Sequence, residues 1–226
     1  MKNLLTTSLI LFATSLSSLG IPLTVLPWDD EISERELSVA YGTKIIDIGY
    51  LHPSARSKPL NIPSEALNLR LEVNDRKDAE GKPLALKINL PSNVKTPLLL
   101  LLPDEKSKAG LRTLVIEDDV SSFRWGTFRL INITPKPLVF RWDKQAKAVP
   151  PGWKPVTVDP EGKSRNIEVF LYLKDDLKKP LYTAVWEHRS DMRQLVFMVP
   201  SSNAALGPVE FKTIPEIRIE EEAEAP

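Results

Sequence analysis

Apolar and polar residues alternate along much of this chain, and that period of two constrains the fold more than any other feature. Leu67, Leu69, Leu71 and Val73 alternate with Asn68, Arg70, Glu72 and Asn74. A helix would scatter such a set around its circumference, whereas a strand gathers it on one face. Leu84, Leu86, Ile88 and Leu90 repeat the pattern beyond a polar turn at 75–82, which predicts a hairpin or a close neighbour pair. Leu98–Leu102 shows no alternation and reads as a central strand covered on both faces. A further short strand is expected at Thr113–Ile116.

The second half is patterned in the same way. Phe128–Thr134 and Leu138–Trp142 flank Pro135-Lys136-Pro137, which cannot continue a ladder and predicts a strand-to-strand corner. Ile167, Val169, Leu171 and Leu173 alternate with Glu168, Phe170, Tyr172 and Lys174. Polar turns at 175–180 and 188–191 then lead into Leu181–Glu187 and Arg193–Val199, so these three segments read as an antiparallel meander. Val209–Lys212 offers a last strand. The chain has 20 prolines against 9 glycines, which favours short strands and rigid turns over long helices. Roughly ten strands at this spacing predict an all-β protein, a sandwich or a barrel, and an antiparallel β-sandwich is the reading preferred. The only helix candidate is Asp29–Val39.

The organisation expected from these signals is a leader over 1–20 and a linker over 21–39. An N-terminal β sub-domain follows over 40–103, then a C-terminal sandwich over 111–214 and an acidic, disordered tail over 215–226. The polar stretch 104–110 serves either as the linker between two closely packed sub-domains or as a hairpin loop within one sandwich. No internal repeat stands out.

Met1-Lys2-Asn3, the apolar run Leu4–Ala13 and the small residues Ser17, Ser18 and Gly20 together have the form of a secretory signal. Cleavage is expected after Gly20, with Ser18 a near equal. The rival is an uncleaved anchor, because no charged residue lies between Asn3 and Trp28 and about 20 apolar residues span a bilayer. Pro22, Pro27 and the Thr/Ser content of the segment count against it. The expected location is therefore extracytoplasmic, periplasmic or secreted, with no integral membrane segment once the leader is removed.

The formal net charge is zero, so there is no general attraction to nucleic acid. The absence of cysteine removes disulfides, thiol catalysis and thiolate zinc sites, and tilts the origin towards a bacterial envelope. His52 and His188 are the only histidines, in distant segments, and give no metal-ligand spacing. Neither a Gly-x-Ser-x-Gly elbow nor a phosphate-cradling glycine loop occurs. Asp118-Asp119 and Asp175-Asp176 lie at strand ends, where aspartate is favoured simply because it hydrogen-bonds its own backbone. No catalytic, cofactor-binding or metal-binding residue is therefore expected. Asn132-Ile133-Thr134 matches a glycosylation pattern within a strand and reads as chance.

The aromatic residues of the C-terminal half are the one binding signal. Trp125, Trp142, Trp186, Tyr172 and Tyr182 would form a flat platform for sugar rings or a partner's side chains if their faces are exposed. If those faces point inward they are core or subunit contact, the preferred reading.

The segment Phe128-Arg129-Leu130-Ile131-Asn132-Ile133-Thr134-Pro135 is similar to the opening strand of a family of bacterial exported immunoglobulin-like β domains. There, a strand ending in Asn or His, a small residue, Ser or Thr, and Pro leads into a second strand like Leu138–Trp142. The resemblance covers about Phe123–Val199. It implies a loop carrying Pro150-Pro151-Gly152 and later antiparallel strands, and it transfers no active site. The function expected is a non-catalytic binding or assembly module of a bacterial envelope, with an envelope protein or a second copy as partner. Carbohydrate binding through the C-terminal aromatics is the alternative, and an exported hydrolase with a carboxylate pair the third.

Overall fold

A computed structural model describes residues 20–219, with the exception of 67, 204 and 206. The expected leader, apart from Gly20, and the acidic end of the chain from 220 lie outside the described residues. The N-terminal unit comprises β1 (Ile21–Pro27), helix α1 (Asp30–Ser33), β2 (Leu37–Tyr41), β3 (Lys44–Asp47), β4 (Leu60–Ile62), β5 (Arg70–Lys77), β6 (Pro83–Lys87), β7 (Pro97–Pro103) and β8 (Leu111–Glu117). The C-terminal unit comprises β9 (Phe128–Asn132), β10 (Leu138–Trp142), β11 (Gln145–Val149), β12 (Val156–Val158), β13 (Arg165–Leu173), β14 (Tyr182–His188), β15 (Met192–Pro200) and β16 (Val209–Ile217). The all-β expectation holds, and most ladders are antiparallel. No described helix is long and apolar enough to cross a membrane.

Four four-stranded sheets result, ordered β4-β1-β7-β8, β3-β2-β5-β6, β12-β9-β15-β16 and β11-β10-β13-β14. The second unit repeats the first strand for strand, down to the parallel pairs β1 with β7 and β9 with β15. Both units close their β2–β3 and β10–β11 hairpins with two residues, the first at positive φ: Gly42 at 53° and Asp143 at 46°. Such turns match the right-handed twist of the flanking strands. In the sequence the repeat survives as an apolar run followed by proline and, at the same separation, glycine: Leu98–Pro103 with Gly110, and Leu195–Pro200 with Gly207. Few identities accompany it, which is why periodicity alone did not disclose it.

The run in β7 explains how the units meet. Leu99 and Leu101 join Leu23, Val25, Val39 and Leu71 in the core of the N-terminal unit. Leu98, Leu100 and Leu102 point the other way, into a third core with Leu26, Ile116, Phe123, Ile131, Leu195, Phe197 and Ile214. The C-terminal unit has its own core around Leu130, Phe140, Trp142, Val169 and Met198. The layers therefore stack four deep, and the two inner sheets are covered on both faces. The two units contribute equivalent positions to the middle core: Leu26 and Ile131, Leu98 and Leu195, Leu100 and Phe197, and Ile116 and Ile214. A like-with-like interface has this pattern.

Several expectations shift. Residues 21–39 are not a linker, because β1 is a central strand between β4 and β7 and β2 is central in the facing sheet. The helix expected at Asp29–Val39 is a single turn, started by Asp29 Oδ1 accepting from Ile32 N at 2.9 Å, and the chain is extended again at Leu37. Residues 104–110 are a hairpin loop, since β7 and β8 pair along their whole length, so Leu111–Glu117 belongs to the N-terminal unit. The C-terminal strands continue past 214, as β16 runs to Ile217. The meander stops after two strands: β13 pairs with β14, but β15 crosses to the opposite sheet between β9 and β16. The Pro135–Pro137 corner does carry the chain between facing sheets, from β9 to β10.

Candidate binding surfaces

The five aromatic residues singled out in the sequence occupy three different places. Trp142 is 4% exposed and lies in the C-terminal core beside Phe140. Tyr182 and Trp186 line the same core from β14 and are half-buried; Trp186 Nε1 donates to Tyr182 Oη at 3.1 Å, and Phe211 packs against both rings. Tyr172 lies on the opposite, outer face of β13, in a near-parallel stack with Phe170 at 24° between planes, and Arg141 sits over the Phe170 ring. Trp125 belongs to the segment joining the units, with the Arg193 guanidinium 5.1 Å from its ring centroid. Cross-strand register decides these faces: Phe170 pairs with Thr183 and Leu171 with Tyr182, so the first pair looks out and the second in. The result is a small outward aromatic pair rather than a row of tryptophans.

A cluster of charges closes the space where the units meet. Arg56 Nε donates to Asp118 Oδ2 at 2.6 Å, and Arg193 reaches Asp118 and Glu216 at 3.4 and 2.8 Å. Arg56 Nη1 lies 3.2 Å from Glu216 Oε2, out of line for a hydrogen bond. The separation still marks an ion pair, and Coulomb attraction needs no alignment. Arg129, stacked on Phe123 like Arg193, donates to the carbonyls of Glu117 and Ser122. Burial pushes the Arg129 guanidinium below the usual arginine range, opposed by the Asp118 charge. Asp118 is thus an ion-pair residue and not the turn aspartate expected. Asp119 and Asp176 do act as turn residues, accepting from Ser121 N and Lys178 N.

The histidines remain apart. His52 is exposed, with Nδ1 accepting from Ser54 N at 3.1 Å. His188 is not an exposed turn residue but 2% exposed at the end of β14, its Nε2 3.0 Å from Gly126 O. Gly126 has φ 81°, and a Cβ there would stand 3.5 Å from that nitrogen, so the joining segment passes close to the ring. A cavity of ≈ 380 Å³ beside them is lined by Arg124, Trp125, Asp159, Glu161, His188 and Ser190, and its Asp159 is paired to Arg124 at 2.7 Å. No group of three or more metal-ligating side chains occurs among the described residues.

The sheet edges differ in how they are guarded. An edge strand offers unpaired N–H and C=O groups, and proteins blunt it with proline, charge, bulges or brevity. β4 and β12 are three residues long and flanked by prolines. β3 has four residues; β6 begins with Pro83 beside a register shift in β5; β11 runs into Pro150 and Pro151; β16 carries Lys212 and Pro215. β8 and β14 lack proline, bulge and brevity, and their middle residues carry no charge. Each is seven residues long, free of proline, and charged or ionisable only towards its ends. Along β8, Thr113, Leu114 and Val115 are half-buried although β7 covers one side of them. Sequence reasoning located both strands but could not tell edge from interior, because pairing order depends on distant segments. No protein-family model matches this chain, and no curated protein is significantly similar to it.

Proposed function

We propose that this chain is a non-catalytic, extracytoplasmic binding or assembly module of a bacterial envelope, built from immunoglobulin-like β units, that engages a protein partner along a strand edge. The observation that carries this reading is the pair of seven-residue, proline-free edges, β8 and β14, beside six edges that are shortened or interrupted or bounded by proline. Strand addition draws affinity from main-chain hydrogen bonds and needs no signature side chains. That accords with a sequence lacking catalytic motifs and with aspartates already committed to arginines or turn amides. The leader-like N-terminus supports the location.

The test is mild crosslinking in the native envelope, then purification and mass spectrometry. A protein companion in fixed stoichiometry, linked through residues bordering β8 or β14, is the expected result. A monomer without companions sinks the reading. Carbohydrate binding is the second reading, favoured by the outward Phe170–Tyr172 stack with Arg141 above it. It predicts that Phe170→Ala abolishes retention on immobilised glycan without altering the crosslinking pattern.

A further inference from the structure

The β8 and β14 edges differ in depth, and the difference specifies what each can accept. β14 borders an outer sheet: Tyr182, Ala184 and Trp186 face the core, while Thr183, Val185 and Glu187 face outward. A strand added there would need apolar residues at alternate positions only. β8 borders an inner sheet that is covered on both sides. Leu111 and Val115 belong to the core of the N-terminal unit, whereas Leu114 and Ile116 belong to the core between the units. Leu114 and Val115 are half-buried neighbours on opposite faces, so both cores reach the surface along this one edge.

Resting on the assembly reading above, we propose that the β8 edge accepts an extended segment of a partner protein that is apolar at consecutive positions and carries a carboxylate near the end lying against Arg112. Such a strand would continue the inner sheet, cap both open cores and extend the existing contact between the units. Alternation would bury a polar side chain without a hydrogen-bond partner against one core or the other, which disfavours binding. The charge preference follows from the two ends of β8. Glu117 already accepts from the amides of Lys95, Thr96 and Asp119. Arg112 is exposed over the Trp153 ring at 5.4 Å, and among the described residues no carboxylate is paired with it. It therefore offers an unneutralised cation at one end of the open edge.

The test uses the purified full chain and three fluorescent eight-residue peptides with a solubilising tag. One has seven consecutive apolar residues and a terminal Glu, the second has the same residues with a terminal Lys, and the third alternates apolar residues with Ser. Binding is read by anisotropy and the contact by amide hydrogen exchange. The Glu peptide is expected to bind about tenfold more tightly than the other two and to slow exchange across Leu111–Glu117. Arg112→Glu, on an exposed side chain, should invert the Glu/Lys preference. Equal binding of the alternating peptide, protection confined to β14, or concentration-dependent self-pairing of β8 each overturns the inference. If no peptide binds while envelope crosslinking still yields a partner, this inference fails and the assembly reading stands. If crosslinking yields none, that reading fails independently.

Discussion

Asp118 shows how far a residue's role can lie from its local sequence. Beside Asp119 at a strand end it has the form of a turn aspartate, yet it is 3% exposed and holds Arg56 and Arg193. Those partners are distant in the chain, and no local pattern announces them. Asp118→Ala would leave two guanidiniums without their nearest buried counter-charge, and a loss of about 3–5 kcal/mol is expected in urea unfolding. Replacing Arg56, Asp118, Arg193 and Glu216 together with apolar residues of similar volume should cost far less, because desolvation of the charges is then removed as well. A large loss in that fourfold variant would show the cluster to be a net stabiliser. Asp119 responds to pH instead. The Ser121 hydroxyl, then the Ser121 amide, hold its carboxyl below the ordinary aspartate range. A depressed folded-state value adds stability that is present above the unfolded value and disappears as the pH falls through the folded one. Ser121→Ala should therefore raise the Asp119 midpoint in an NMR titration and begin the acid loosening of this turn at higher pH.

Among the elements, β7 was the most legible, because an unbroken apolar run has only one comfortable place in a sheet. Leu100 faces the core between the units and Leu99 the N-terminal core, and both are fully buried. Leu100→Ala and Leu99→Ala should each cost about 2–5 kcal/mol in chemical denaturation. β1 was the least legible: its apolar residues continue the apolar stretch that reads as a leader, so a central strand looks like a flank. β13 and β14 were legible as strands but not as faces, since Phe170 and Tyr172 are as apolar as Val169 and Leu171. Only register separates them. Tyr172→Ala, on the outer face, should change stability by under about 1 kcal/mol, while Trp142→Ala in the core should cost about 3–5 kcal/mol. Comparable losses for the two would mean that the outer face is covered in solution.

For the molecule as a whole, the core between the units decides whether the eight-stranded repeats behave as two bodies or one. Leu26, Leu98, Leu100, Ile131, Leu195 and Phe197 are all fully buried there, while Val25, Leu99, Leu130 and Val196 on the same strands fill the separate cores. Opening the contact exposes the inner face of both central sheets, so neither unit can unfold without stripping its neighbour. The expected calorimetric trace is a single transition whose measured and van't Hoff enthalpies agree, the signature of all-or-none unfolding. Leu100→Asp combined with Phe197→Asp places two unpaired charges in the middle core and leaves every residue of the outer cores unchanged. That variant should split the trace into two transitions, each moved to lower temperature. Two transitions in the unaltered protein would mean that the apolar contact and the Arg56–Asp118–Arg193–Glu216 cluster hold the units together without coupling their stability.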